Sequence, residues 1–326
     1  MSRTLYVGTV GEGLWVSPDC GESFNRKING MFIEADVRAL AVHPGDPRTL
    51  FAGTNCGMYR TSDGGESWDL LDTGFGTGWP GSTAETVWSI AISPHNPDLI
   101  FAGLCPSAAY RSKDGGSSWQ LLNPGFATEC GAIVYPRVTC IVPDPVESGT
   151  IWAGVEIDGI YRSMDSGDSW EHVGEGLSSQ DIHSLAVIPG SPKKVIAATN
   201  NDLNVSIDDG QTWKPCGVKA LFDWGYCRGI AAKANDPQTL FQGNGNGPPG
   251  SAGAIQISRD AGRSWSKAAL PFPSNSTIWT FAITAGDPDL IAAASVSGYI
   301  YLSSDGGATW RKLAREFGEI RSLALT

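Results

Sequence analysis

The chain has 326 residues, of which 41 are glycine and 20 proline, with 41% apolar side chains and a formal charge of −11. This composition suits many short strands joined by tight turns, and the acidity argues against nucleic acid or an anionic membrane as the main partner. No apolar run is long enough to span a bilayer, and no charged-then-apolar leader precedes the first strand-like residues. The seven cysteines, an odd number without a C-x-x-C pair, fit a reducing compartment, so a cytoplasmic location is expected.

In chain order, LYVG at 5–8 and GLWV at 13–16 are short strand-like runs that lead into the turn SPDCGESF at 17–24. From residue 37 the unit is complete. VRALAVH at 37–43 is an apolar run ended by Pro44, and a Gly-Asp-Pro turn follows. LFAG at 50–53 and GMYR at 57–60 are two further strands, and TSDGGESW at 61–68 turns the chain into a fourth, expected over 67–71. The turn pattern Ser/Thr-x-Asp-x-Gly-x-Ser/Thr-Trp/Phe recurs around Asp19, Asp63, Asp114, Asp165, Asp208, Asp260 and Asp305. The Asp carboxylate can accept hydrogen bonds from the backbone of its own turn, and the Gly two places on supplies a left-handed conformation. The closing ring then packs into the sheet.

Four short strands in about 45 residues is the period of a propeller blade. Inner strands are expected again at 87–93, 138–143, 182–188, 227–233, 278–284 and 320–325. The first turn is preceded by only two strands, so its blade lacks an inner one; the run at 319–325 is an inner strand without a blade of its own. Joining them closes a ring and removes its exposed edges. The expectation is an all-β, seven-bladed β-propeller of four-stranded blades, one domain over 1–326, closed by the C-terminal strand joining the N-terminal blade.

Strand order places the Asp turns and the turns between first and second strands on one face. The remaining links lie on the other, where the long ones fall: 72–86, 123–136, 215–226 and the Asn/Gly/Pro-rich 244–253. The second residues of the inner strands, Arg38, Trp88, Thr139, His183, Arg228, Trp279 and Arg321, should crowd the axis on that face, with Arg137 beside them. Clustered guanidiniums in an acidic protein point to a small anionic or sugar-like ligand, since Arg grips carboxylates and phosphates bidentately. The same residues can instead pair with Asp36, Glu85, Asp181 and Glu319. His183 is placed to act as acid or base, oriented by Asp181. Glu129, Tyr135, Glu156, Asp158, Asp223 and Tyr226 share its face and offer further acids, bases or nucleophiles. Trp79, Trp88, Trp224 and Trp279 offer surfaces on which a sugar ring can stack. Cys56, Cys105, Cys130, Cys216 and Cys227 map there too, but their spacing follows no metal motif, so neither metal nor cofactor is expected.

The seven turns resemble the Asp-box (BNR) repeats of the sialidase-like superfamily, and the likeness covers the whole chain. That resemblance implies a propeller. It leaves the activity open among sialidases, xyloglucan-active endoglucanases, sortilin-type receptors and a photosystem II assembly factor. Sialidases carry an F/Y-R-I-P motif, from which Tyr135-Pro-Arg-Val138 departs; the xyloglucan enzymes pair two propellers in a longer chain. By this analogy a Tyr nucleophile with an acidic partner is Tyr135 with Glu129 or Tyr226 with Asp223. The expected function is an enzyme, hydrolase or lyase, acting at the axis on a small carboxylate-bearing or glycosidic substrate. In that scheme Arg38, Arg137, Arg228 and Arg321 hold the anion, and Trp88 and Trp279 form the walls. The alternative is a non-catalytic binding or assembly module that uses the same face for a peptide or protein.

Overall fold

The computed structural model describes residues 3–75, 85–131 and 135–326; Trp79 and most of the 72–86 link lie outside them. Seven antiparallel four-stranded sheets form a ring. The inner strands are Val37–His43, Thr86–Ile92, Val138–Pro143, Ile182–Ile188, Tyr226–Lys233, Ile278–Thr284 and Ile320–Leu325, within a residue or so of the sequence reading. The last of these pairs with Leu5–Thr9, matching Leu5 to Leu325 and Val7 to Leu323, so the C-terminal strand completes the N-terminal blade. The outer strands are shorter than expected: Asp69–Leu70 is two residues long, as is its counterpart in each of the other six blades. Being outermost, each has a partner on one side only, and both residues of Asp69–Leu70 are exposed.

Each sheet buries both faces against its neighbours, which is why the second and third strands are almost wholly buried. Glycine makes this close approach possible. A Cβ on Gly53 would lie 2.6 Å from Val87 Cγ1, and one on Gly103 the same distance from Val138 Cγ1. Each of these second-strand glycines therefore receives a valine from the start of the next blade's inner strand. Val87 and Val138 are fully buried in these seats, each worth about 2 kcal/mol of apolar transfer.

The Asp turns fasten the opposite face. In the second blade Asp63 accepts from Thr61 Oγ1 at 2.7 Å, Ser67 N at 3.1 Å and Ser67 Oγ at 2.6 Å, while Gly65 N donates to Thr61 Oγ1 at 3.0 Å. The same set recurs around Asp19, Asp114, Asp165, Asp208, Asp260 and Asp305. The turn's Trp then packs on the preceding blade: Trp68 on Tyr6, Leu14 and Val16, Trp213 on Trp152 and Ile160, and Trp310 on Phe241 and Ile255. Third-strand arginines reach forward to the next turn, Arg111 to the Ser166 carbonyl at 2.6 Å and to Asp168 at 2.7 Å. No disulfide is formed among the described residues. Among the described residues no helix is long and apolar enough to cross a membrane.

Candidate functional site

Every inner strand is irregular at its second or third residue. The pairing register jumps from Val37 to Ala39, Val87 to Ser89, Val138 to Cys140, Ile182 to Ser184, Cys227 to Ile230 and Ile278 to Thr280, and between Ser322 and Ile320 in the closing strand. The residue passed over (two, Arg228 and Gly229, between Cys227 and Ile230) is a β-bulge, freed from the ladder and turned toward the axis. The seven re-aimed side chains are Arg38, Trp88, Thr139, His183, Arg228, Trp279 and Arg321, and all of them line one axial cavity of about 290 Å³. Below them the lining turns apolar, with Leu40, Ile90, Ile141, Ile230, Phe281 and Leu323. The bulge itself has no sequence signature in these strands, although its position could be read from the ring geometry.

Around the mouth the guanidiniums and indoles alternate. Arg38 and Arg137 stack on Trp88 at 4.7 and 4.5 Å, and Arg228 and Arg321 stack on Trp279 at 3.8 and 4.5 Å. In each group the two cations come from the blades on either side of the tryptophan. The indoles therefore do not present the open stacking walls expected from sequence: each separates two cations, and its π-system offsets their repulsion.

Three of the four guanidiniums have a carboxylate partner. Arg38 meets Asp36 at 2.8 Å, Arg137 Nε meets Glu156 Oε2 at 2.6 Å without hydrogen-bond alignment, and Arg321 pairs with Glu319. Two of these partners, Asp36 and Glu319, match the pairing alternative; Glu156 takes the place of Glu85 and reaches Arg137 from the tight turn after its own second strand. Among the described residues Arg228 has no ion pair, although it is buried. Burial pulls its pKa down from the usual value, and burial likewise lowers Arg321 to about 10. Both remain cations at neutral pH.

His183 is buried between Tyr226 and the axis, its ring 4.9 Å from the phenol ring. Its Nδ1 lies 2.6 Å from the Cys227 carbonyl oxygen of the next blade. Ser89, Thr139 and Ser322 make the equivalent link with a hydroxyl, to the carbonyls of Val138, Ile182 and Val37. One ring nitrogen thus does structural duty. The other, Nε2, lies 3.4 Å from Asp181 Oδ1 without an aligned hydrogen bond. Burial and the Arg228 cation hold the His183 pKa below its ordinary value, so the ring is neutral at pH 7. Burial pushes Asp181 upward, but His183, Arg228 and Arg137 outweigh it and leave its pKa lowered. Burial raises Glu156 and Tyr226.

Buried polar atoms without an aligned hydrogen bond gather here. Arg38 Nε, Trp88 Nε1, Arg137 Nε, Glu156 Oε2 and Asp181 Oδ1 all belong to this one cluster, out of eleven such atoms among the described residues. Buried orphans are uncommon in folded proteins, and a concentration of them marks a place where polar chemistry is held ready.

Other expected participants lie elsewhere. Glu129 is exposed and forms no part of the cavity wall, and Tyr135 is also exposed. Asp158 is committed to Ala127 N and Tyr161 OH, and Asp223 to Lys267 of an outer strand at 2.5 Å. Tyr226 lies behind His183 and off the cavity wall. Cys140, not singled out in the sequence, lines the cavity, and burial raises its thiol to about 11. No group of three or more His, Cys, Asp or Glu side chains among the described residues has the arrangement to hold a metal ion.

No family model matches the chain. Curated relatives it matches are xyloglucanases. Xyloglucanase Xgh74A of Acetivibrio thermocellus is 25% identical, covering 85% of this chain and 32% of that protein. A probable oligoxyloglucan-reducing end-specific xyloglucanase of Neosartorya fischeri is 24% identical, covering 84% and 38%. The chain thus spans about a third of the length of these relatives. Among solved structures, YCF48 bound to D1 peptide superposes with a TM-score of 0.58 at 16% identity, covering 86% of this chain and 81% of that one. An ancestral GH74 enzyme gives 0.56 at 16% identity, covering 98% and 55%. These two likenesses are of fold.

Proposed function

We propose that this propeller is a carbohydrate-active enzyme of the hydrolase or lyase class, and that it holds a small carboxylate-bearing or glycosidic substrate in the axial cavity. The observation that carries the reading is the set of seven bulges converging on one cavity, with the unpaired Arg228 on its wall. Arg228 anchors the anion, Arg38 and Arg321 flank it, and Arg137 supports the ring from behind Trp88. His183 is the acid/base and Asp181 positions it, while Tyr226 packs behind the ring. The similarity to xyloglucanases supports a sugar as the ligand, and the likeness of the turns to Asp-box repeats agrees with a glycosidase-rich superfamily.

A second reading has its own support. Three guanidiniums are already ion-paired, and the carboxylates Asp36, Glu156 and Glu319 are held by them and do not form a glycosidase pair across the cavity. On that reading the same mouth binds a ligand without cleaving it. Thermal shift with D-glucuronate, glucose 6-phosphate and methyl glucosides, on wild type and Arg228→Ala, tests the site; assays on nitrophenyl glycosides and glucuronides then separate the readings. Stabilisation of wild type alone supports the axial site. Equal stabilisation of both proteins, or of neither, removes it. Turnover that disappears in His183→Asn supports the enzyme, and binding without turnover supports the module.

A further inference from the structure

We propose that the axial site takes a ligand carrying one negative charge, and that the ligand enters together with one proton, which is held between His183 and Asp181. This rests on the axial-site reading above and adds the charge class of the ligand and the pH dependence of its binding.

The charge inventory comes first. Among the described residues the cluster contains four guanidiniums, Arg38, Arg137, Arg228 and Arg321, and four carboxylates, Asp36, Glu156, Asp181 and Glu319. Three cations are matched one to one, which leaves Arg228 and Asp181 as the remaining opposite charges. Each lies close enough to influence the other's ionisation. The free ring is balanced. In a buried cluster an added net charge is costly, so a monoanion binds without penalty only if a proton accompanies it.

The second observation is a place for that proton. A carbonyl oxygen can only accept, so the 2.6 Å contact between His183 Nδ1 and the Cys227 oxygen fixes the ring proton on Nδ1. Nε2 of the neutral ring then presents a lone pair to Asp181 Oδ1 at 3.4 Å, and that oxygen is buried and has no hydrogen-bond partner. Two acceptors face each other across a gap too narrow for a water molecule. A proton taken from solvent onto Nε2 turns this contact into a charge-assisted N–H···O bond, and no other bond is made or broken.

The groups around the pair explain why the proton is absent in the free protein and arrives with the ligand. Arg228 and Tyr226 face it from the strand Tyr226–Lys233, and Glu156 and Arg137 from the preceding blade. Burial and the Arg228 cation oppose protonation of His183. A carboxylate bound to Arg228 cancels that opposition, and by linkage a protonated pair binds the carboxylate more tightly.

Isothermal titration of the full chain with D-glucuronate, in two buffers of different ionisation enthalpy, measures the protons taken up. The expected result is uptake approaching one proton at pH 7, and an affinity rising by up to about tenfold per pH unit as pH falls from 8 toward 6. Glucose 6-phosphate, a dianion, should bind at least about tenfold more weakly. His183→Asn keeps an N–H for the Cys227 carbonyl but has nothing to titrate, so it should bind glucuronate with no pH slope. If that variant does not fold, the ¹⁵N shift of His183 Nε2 in wild type should move from the lone-pair to the protonated position on adding glucuronate. Glucuronate binding without proton uptake, an unmoved Nε2 shift, or phosphate bound as tightly as glucuronate overturns this proposal and leaves the axial site standing. Failure of every probe to bind overturns the axial site itself.

Discussion

The two faces of this ring are built on opposite rules. On the Asp-turn face seven copies of one turn do one job, and each Asp finds its hydrogen bonds inside its own loop. At the axial mouth seven equivalent bulges carry four residue types (Arg, Trp, Thr and His), and five polar atoms of the cluster are buried without an aligned hydrogen bond. Repetition with each acid satisfied inside its own turn marks architecture, while variation at an equivalent position, with charged groups left over, marks a site. Conspicuous acids and aromatics in the turns are therefore the less informative half of the sequence.

The most severe test of the architectural half is removal of residues 319–326. That deletion takes away Ile320, Leu323 and Leu325, all buried in the closing strand, at about 2 kcal/mol each, and exposes Leu5–Thr9 as a sheet edge. The sum approaches the whole stability of a typical domain. We expect aggregation or a Tm lower by well over 10 °C in calorimetry; an unchanged melt would disprove closure by this strand.

Next come glycines, which separate the two faces directly. A Cβ on Gly243 would overlap the Ile278 carbonyl oxygen and come within 2.8 Å of its Cγ2, so Gly243→Ala should cost about 3 kcal/mol in urea unfolding. Gly64 has a left-handed φ of 80° but no neighbour closer than 3.7 Å, so Gly64→Ala should cost only about 1 kcal/mol. Equal costs would mean that the blades do not nest as described. Between these two values, Trp279→Leu removes the indole separating Arg228 from Arg321. It should cost about 2 kcal/mol, with a larger loss at low salt, where the two cations repel more strongly.

The smallest effect belongs to a single turn. Asp165→Ala should lower stability by about 1 kcal/mol, because six other turns still clasp their blades. Hydrogen bonds from Ser169 and Ser163 hold the Asp165 carboxyl down at about 2 from 3.8. A carboxyl lowered on folding contributes its stability above the unfolded value and loses it as pH falls through the folded one. Wild type should therefore lose its advantage over Asp165→Ala between about pH 4 and pH 2, and a difference that persists at pH 2 would show that the turn acts through something other than its carboxylate.

The ring, its closure, the inner strands and the seven axis-facing positions were all legible in the sequence, because each follows from a pattern repeated seven times along the chain. A period needs no knowledge of distant contacts. The outer strands were read too long, since with one neighbour they have little to hold them beyond Asp69 and Leu70. What only the tertiary structure decided is the state of the side chains at the mouth. That Trp88 and Trp279 each carry two guanidiniums and that His183 gives one nitrogen to Cys227 are contacts between blades, 40 or more residues apart in sequence. That Glu156 takes Arg137, that among the described residues Arg228 is left without a carboxylate, and that the other His183 nitrogen faces Asp181 depend on how the loops and side chains at the mouth are turned. Charge pairing and tautomer depend on distance and direction in space. Periodicity in sequence fixes which residues meet at the axis, and only the packed ring fixes which of them are left unsatisfied there.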